Sequence, residues 1–261
     1  MKKFKLIFIS VVFGLFSMVG VNAAENNNVS ASTVVVKSDK EAANDADFSS
    51  WTSEAELGFV KTTGNTETEL LNFKTEVGFK KANWEHSLKL GTSRSADNSR
   101  TTAEKYYLFM KSLYTISERS YMFGRIQYED DRFSGYNYQA SEVIGYGRKI
   151  IKTETLKLNA EIGVGVRQND FENGTKTSEG VIVFAGDADW KISEHANLTE
   201  ELSVEVGEDN TISKSVTGLK TKINSSLSSK ITYTVKHSSE VPVGTEKTDT
   251  ELAVTLVYAF K

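Results

Sequence analysis

Two residues near the C-terminus, His237 and Ser239, have the types and the spacing of a catalytic pair. They stand two positions apart in the stretch YTVKHSSE, so on a β-strand both side chains would point to the same face. A histidine that accepts the proton of a neighbouring serine makes that serine a nucleophile toward ester bonds. A third group must orient the histidine, however, and the last predicted strand offers no Asn or Asp on the matching face. An interfacial histidine beside a rim serine is therefore the simpler interpretation.

A larger set of charged residues alternates with apolar residues along the chain. If the strands close into a barrel, these charges share the face that lines the lumen. Rings of one sign would make a pore ion-selective, whereas a balanced set predicts cross-strand ion pairs in a narrow polar lumen. The predicted lumen acids are Glu54, Glu56, Glu76, Glu85, Glu129, Glu161, Asp187, Asp189, Glu201, Glu205 and Glu251. The predicted lumen bases are Lys74, Lys80, Lys89, Lys105, Lys111, Arg125, Arg167, Lys191, Lys220, Lys222 and Lys236.

No cofactor and no metal site are predicted. The three histidines fall on different segments, and the chain has no cysteine that could complete a zinc site. Carboxylates at 129–131, together with Asp170 and Glu172, could supply oxygen ligands for calcium at one rim. Solvated rim charge is the simpler interpretation of this acidic group.

The elements that must position these residues are β-strands. From Trp51 onward, apolar and polar residues alternate in twelve segments of about 10 residues or slightly more, the length of a tilted strand that spans a bilayer. Short and long connections alternate, as they do in outer-membrane barrels. The segments are 51–60, 69–80, 84–93, 102–116, 121–131, 139–150, 156–167, 178–192, 197–207, 215–227, 231–240 and 249–260. The predicted fold is an all-β, transmembrane, antiparallel up-and-down β-barrel of twelve strands, with ten as the alternative count.

Aromatic residues indicate a membrane independently of the strand lengths. If successive strands run outward and back, all three tryptophans fall at the periplasmic rim, at the level of the lipid headgroups. The predicted interface residues are Trp51, Trp84, Tyr114, Trp190, Tyr233, Tyr258 and Phe260. The chain ends in ELAVTLVYAFK, with an apolar residue at every second position up to Phe260. We expect the barrel assembly machinery of the outer membrane to recognise this ending.

The N-terminus has the layout of a cleaved signal peptide. Three lysines precede an apolar run and a small-residue exit, which predicts a signal peptide at 1–23, a flexible periplasmic leader at 24–50 and the barrel at 51–261. Without the three lysines, the mature chain has 28 basic against 35 acidic residues, a net charge near −7. Such an acidic chain is not expected to bind nucleic acid. We predict export to the outer membrane of a Gram-negative cell.

The sequence resembles two groups of known outer-membrane proteins. The stretches WTSEAELGFVKTTGNTET, YEDDRFSGYNYQASEVIGYGRKI, LNAEIGVGVRQ and TDTELAVTLVYAF resemble the YdiY-like family, described as salt-induced outer-membrane proteins built on a domain of unknown function. This resemblance covers about residues 50–260 and implies a barrel, with no activity attached. The His237–Ser239 spacing is similar to that of outer-membrane phospholipase A and lipid A deacylases, but those families follow the serine with Asn, and Glu240 follows here.

The predicted function is that of a passive envelope protein. It would be either a narrow pore for small solutes or ions, or a structural barrel linked to salt or osmotic stress, in contact with outer-membrane lipid and lipopolysaccharide. The alternative is a lipid-hydrolysing barrel that uses His237 and Ser239. A secreted, soluble β-sandwich is the third interpretation, but such sandwiches usually have shorter strands at closer spacing.

Overall fold

The computed structural model of the chain describes residues 49–62, 68–97, 100–132 and 134–260. The predicted signal peptide, and the predicted leader up to residue 48, lie outside these ranges. The described part of the chain contains no helix with the length and apolarity needed to cross a membrane. The strands are β1 Ser49–Thr62, β2 Thr68–Lys81, β3 Trp84–Asp97, β4 Arg100–Thr115, β5 Ser120–Asp131, β6 Tyr136–Lys152, β7 Leu156–Phe171, β8 Lys176–Lys191, β9 Ala196–Gly207, β10 Thr211–Lys222, β11 Leu227–Ser238 and β12 Thr248–Phe260.

The twelve strands close into one antiparallel up-and-down barrel. Each strand pairs with its neighbours in sequence, and β1 completes the ring by pairing with β12, where Ser53 lies opposite Phe260 and Leu57 opposite Leu256. Closure leaves no free sheet edge, which is the condition for a β-sheet to exist inside hydrocarbon. The predicted fold class and strand count are confirmed. We call the rim that holds Ser49 and Phe260 the near rim, and the opposite rim the far rim.

The outer face of the barrel carries the apolar half of the alternating pattern. Along β12, Leu252, Val254 and Leu256 are 52–63% exposed, whereas Ala253 and Val257 between and beside them are 1–3% exposed. Comparable exposure of large apolar side chains recurs on the other strands around the ring. An apolar surface that encircles a protein is typical of contact with lipid.

Strands β10 and β11 each begin four residues before their predicted starts at 215 and 231. The side-chain oxygen of Asn224 accepts hydrogen bonds from the backbone N–H groups of Ser226 and Leu227, both at 2.9 Å. This turn ends β10 early and replaces the predicted connection at 228–230. Tyr233, predicted at the rim, consequently lies near the middle of β11, and that placement was wrong.

The alternation of short and long connections is weaker than predicted. Strands β7 and β8 both extend into the predicted long connection 168–177 and leave four residues between them. The longest connection among the described residues joins β11 to β12 over 239–247 and contains Pro242, the one proline of the chain. Strand pairing therefore continues into segments whose polar composition suggested loops.

Part of the barrel interior is apolar, which the charge pattern did not predict. Tyr121, Phe123, Val143, Val181 and Val183 form a buried cluster on the inner faces of β5, β6 and β8. The cluster fills one side of the lumen. The polar part of the lumen is therefore narrower than the lumen of an unfilled ring of twelve strands.

Two glycines of β6 make room for the aromatic rings of this cluster. Gly145 and Gly147 lie directly opposite Phe123 and Tyr121 in the β5–β6 ladder. A β-carbon at Gly145 would lie 2.7 Å from the Phe123 ring, and one at Gly147 would lie 2.7 Å from the Tyr121 hydroxyl oxygen and even closer to the Tyr121 ring. A side chain at either position would therefore displace a packed ring.

Candidate functional site in the barrel interior

The strand register places every member of the predicted lumen set on the inner face of the barrel. Further charges share that face, among them Glu179, Lys214 and Lys230. Both lysines stand just before the predicted starts of β10 and β11. Glu179 lies an even number of residues from Asp187 on the same strand, so the alternating pattern of the sequence could have predicted that Glu179 points inward. Whether these side chains line a conducting path stays a prediction.

Two ion pairs cross the lumen between opposite walls. Lys89 Nζ lies 3.0 Å from Glu201 Oε1, joining β3 to β9, and Lys236 Nζ lies 2.7 Å from Glu129 Oε1, joining β11 to β5. In each pair the two strands are six positions apart in a ring of twelve. The side chains therefore meet across the width of the barrel, which reduces the free cross-section of the lumen at those heights.

The far half of the lumen holds a buried network. Arg167 is 1% exposed, and its Nη2 lies 2.8 Å from Glu179 Oε1. Arg167 Nη1 lies 3.8 Å from Glu205 Oε2, and Glu205 in turn accepts a hydrogen bond from Arg125. Charges this deeply buried are stable only when paired and hydrogen-bonded. Together they form a polar septum that links β5, β7, β8 and β9.

The near half of the lumen has further ion pairs. Lys111 Nζ lies 2.5 Å from Glu161 Oε1, which also accepts a hydrogen bond from the Tyr121 hydroxyl at 2.7 Å. Lys220 Nζ lies 2.5 Å from Glu54 Oε1. The pair Lys230–Glu56 has a separation of 2.6 Å. These contacts again join strands that are not neighbours in the sheet.

Exposure of the inward carboxylates varies along the lumen. The side chains of Glu76 and Glu201, toward the near rim, are 51% and 57% exposed. Glu129 and Glu179, toward the far rim, each have side chains that are 5% exposed. The lumen is therefore open to water around Glu76 and Glu201 and closed by side chains around Glu129 and Glu179, whereas Glu161 in the near half is also buried, with a side chain that is 4% exposed.

Glu200 is a carboxylate on the outer face whose partners come from the neighbouring strand. Glu200 points outward from β9, and its two oxygens accept hydrogen bonds from Ser215 Oγ at 2.7 Å and Thr217 Oγ1 at 2.6 Å. The hydroxyls of β10 thus satisfy a charge that would otherwise face the surroundings of the barrel unpartnered. The alternating polar residues of β10 were the sequence signal for this arrangement.

His237 and Ser239 do not form a catalytic pair. His237 Nδ1 lies 2.8 Å from Thr248 Oγ1. The Ser239 hydroxyl donates to Asn210 Oδ1 at 3.0 Å and accepts the backbone N–H of Thr211 at 2.9 Å. Because β11 ends before Ser239, the shared strand face on which the alternative rested does not exist. The serine proton is directed to an amide oxygen rather than to the imidazole.

The acidic residues considered for calcium separate in the structure. Glu129 points into the barrel, where it pairs with Lys105 and Lys236, whereas Asp170 lies on the outer face and is paired with Lys176. Asp170 also accepts a hydrogen bond from the Asn137 side chain at 2.9 Å. Among the residues that the structure describes, no group of three or more His, Asp or Glu side chains is arranged to hold a metal ion.

The tryptophans lie together at one end of the barrel. Trp51, Trp84 and Trp190 are 38–52% exposed and stand within three residues of the near-rim ends of their strands. The Trp84 ring packs against Tyr114, with ring centroids 5.0 Å apart. The other predicted interface residues at this rim are Tyr258 and Phe260. Their contact with lipid headgroups stays a prediction.

The whole barrel corresponds to a known family. A model described as "Protein of unknown function, DUF481" matches residues 55–260. The chain belongs to the DUF481 family. A curated relative, "Uncharacterized protein YdiY" of Escherichia coli (strain K12), is 27% identical over 203 residues, which cover 77% of this chain and 80% of the relative. The resemblance drawn from the sequence motifs is thereby confirmed, and it assigns no activity to the DUF481 barrel.

Several solved structures show a partial likeness to this DUF481 barrel. The NanC porin has a TM-score of 0.49 at 10% identity, covering 80% of this chain and 99% of the porin. The outer membrane channel COG4313 from Pseudomonas putida F1 has a TM-score of 0.46 at 9% identity, with coverage of 87% and 100%. The translocator domain of autotransporter NalP from Neisseria meningitidis has a TM-score of 0.42 at 14% identity, with coverage of 84% and 89%. Since all three scores are below 0.5, the architecture described above rests on the chain's own strand register.

Proposed function

We propose that the protein is an outer-membrane barrel that forms a narrow, passive pore for water and small ions. The observation that carries the proposal is the pair of ion bridges between opposite walls, Lys89–Glu201 and Lys236–Glu129. A twelve-stranded barrel is intermediate between filled eight-stranded barrels and open porins. Side chains that meet across such a lumen leave passage for water-sized species between them and exclude larger solutes.

The membrane location is supported by the outer surface. A closed ring of strands with exposed apolar side chains and tryptophans gathered at the near rim suits a lipid environment better than water. We propose export through a cleaved signal peptide, insertion by the barrel assembly machinery, and contact with outer-membrane lipid and lipopolysaccharide. Fractionation tests this location, because recovery of folded protein in the detergent-free periplasmic extract would contradict it.

A closed structural barrel is the second candidate. The buried septum around Arg167 favours it, because those charges contact one another and leave little free space in the far half of the lumen. In that case the interior charges would serve folding, and the barrel would support the envelope without conducting.

Planar-bilayer recordings of the refolded protein distinguish the two candidates. For a pore, we expect a small conductance with weak selectivity between cations and anions, because inward acids and bases are nearly balanced. Replacing Lys89 and Lys236 together by Gln should raise the single-channel conductance by removing both cross-lumen bridges. Lys80→Gln is the matched control, since its pair with Glu85, at 3.9 Å, joins neighbouring strands at the near rim.

The outcomes separate clearly. A conductance that rises in the double variant and stays at the wild-type value in Lys80→Gln would support the pore. If the wild type and both variants are correctly folded but show no conductance, the pore is refuted and the structural barrel is the remaining candidate. Strong selectivity in the wild type, measured as a reversal potential in a salt gradient, would contradict the balanced lumen.

The proposed link to salt or osmotic stress is supported by the description of the resembling family. Growth of a deletion strain at raised osmolarity, compared with the same strain carrying the intact gene, tests it. Equal growth of the two strains would remove this link without affecting the pore proposal.

A further inference from the structure

A small cavity lies in the far half of the lumen. Its volume is about 40 Å³, enough for about three water molecules or one small ion. Strands β5, β6, β7, β9, β10 and β11 contribute side chains to it. Its charged lining residues are Glu129, Arg167, Glu205, Lys214 and Lys236. Three cations therefore face two carboxylates, which leaves one positive charge in excess.

Arg167 presents an unused hydrogen-bond donor in this lining. Its Nε and Nη2 donate to Glu179 Oε1 at 3.1 Å and 2.8 Å, and Nη2 also donates to the carbonyl of Asn210. Its Nη1 is buried without a hydrogen-bond partner, and the 3.8 Å that separates it from Glu205 Oε2 is too long for a hydrogen bond. Arg167 is 1% exposed, so bulk water does not reach this N–H group.

The ammonium group of Lys214 is a second donor in this lining. Lys214 lines the same cavity as Arg167. The nearby carboxylate of Glu129 is already shared by Lys236 at 2.7 Å and Lys105 at 3.2 Å, and Lys105 also lies 3.8 Å from Asp131. A third cation beside that group increases the positive potential in the cavity.

We propose that this cavity is a binding site for a small monovalent anion of the size of a halide ion. The unused Nη1 donor of Arg167 and the ammonium group of Lys214 suit an acceptor that has no proton to give, and the single excess charge of the lining suits a single negative charge. Glu129 and Glu205 do not prevent this, because each already contacts its own cations. The site goes beyond the proposed pore, since anion binding requires no conduction through the lumen.

Crystals of the full barrel grown in sodium bromide test the proposal directly. Bromide gives an anomalous diffraction signal, and we expect one peak in the cavity of the wild-type protein. Lys214→Met should abolish that peak, and Lys214→Gln serves if the methionine variant does not fold. Lys222→Met is the matched control, because Lys222 lies on the same strand and the same face at the near rim, and it should keep the peak.

A solution measurement gives an independent readout. The thermal unfolding midpoint in detergent should be higher in potassium bromide than in potassium gluconate of equal ionic strength, because gluconate is too large for the cavity and a bound ligand stabilises the folded state. The shift should disappear in the Lys214 variants and persist in Lys222→Met. Water alone in the cavity at high bromide, together with equal midpoints in the two salts, would overturn the anion site while leaving the conductance proposal untouched.

Discussion

Replacing Arg167 by Met should destabilise the barrel far more than replacing a lysine at the rim. Arg167 is 1% exposed and holds Glu179, whose side chain is 5% exposed, through two hydrogen bonds. In Arg167→Met that carboxylate stays buried without its cation, and breaking a buried pair in this way costs about 3–5 kcal/mol. Lys80→Met removes one charge from a pair whose side chains are 61% and 54% exposed, which should cost at most about 1 kcal/mol.

A double substitution isolates the pair itself. Replacing Arg167 and Glu179 together by Met removes both buried charges, so neither side chain is left uncompensated. The backbone N–H of Asp209, which donates to Glu179 at 2.9 Å, and the carbonyl of Asn210 then lose their side-chain partners. The carbonyl already loses its partner in Arg167→Met, so the double variant gives up one further hydrogen bond, which costs about 1 kcal/mol. The double variant should therefore be more stable than Arg167→Met alone.

The assay is urea unfolding of barrels refolded into lipid vesicles, followed by the fluorescence of the three tryptophans. We compare the free energies of unfolding of the wild type, Arg167→Met, Glu179→Met, the double variant and Lys80→Met. Additive losses in the double variant would show that the two charges do not depend on each other. A loss in Arg167→Met no larger than in Lys80→Met would show that the septum is hydrated rather than buried, and the reasoning would be refuted.

Three further expectations concern other surfaces of the barrel. Ile144, 68% exposed on the outer face near the middle of β6, should not tolerate a charge: Ile144→Lys should lower the free energy of unfolding by about 2–4 kcal/mol in lipid. Deleting Phe260 and Lys261 should reduce the fraction that migrates as a folded, heat-modifiable band, because the end of β12 loses its pairing with Ser53. Ser239→Ala should leave the release of fatty acid from phospholipid at the wild-type level, since Ser239 is hydrogen-bonded to Asn210 rather than to His237. Hydrolysis by the wild type that this substitution abolishes would restore the lipid-hydrolysing alternative.

Strand existence and side-chain facing were readable from the sequence because both follow from a period of two. Leu252, Val254 and Leu256 lie outward and Glu251 inward whichever strands they pair with. Strand ends were less predictable. The turn at Asn224 depends on a side-chain oxygen that competes with the ladder for backbone N–H groups, and the polar residues around it gave no clear boundary.

The sequence by itself indicated a barrel fold, favoured twelve strands over ten and determined the parity of the inward charges, since alternation and strand length act locally along the chain. Only the tertiary structure decided which charges meet. Lys89 and Glu201 are 112 residues apart, and Lys236 and Glu129 are 107 apart, so their contact depends on the ring closing at twelve strands with one register. The same closure decided that Arg167 and Lys214 share a cavity, because side-chain contacts across a lumen depend on its diameter and on the stagger of its strands.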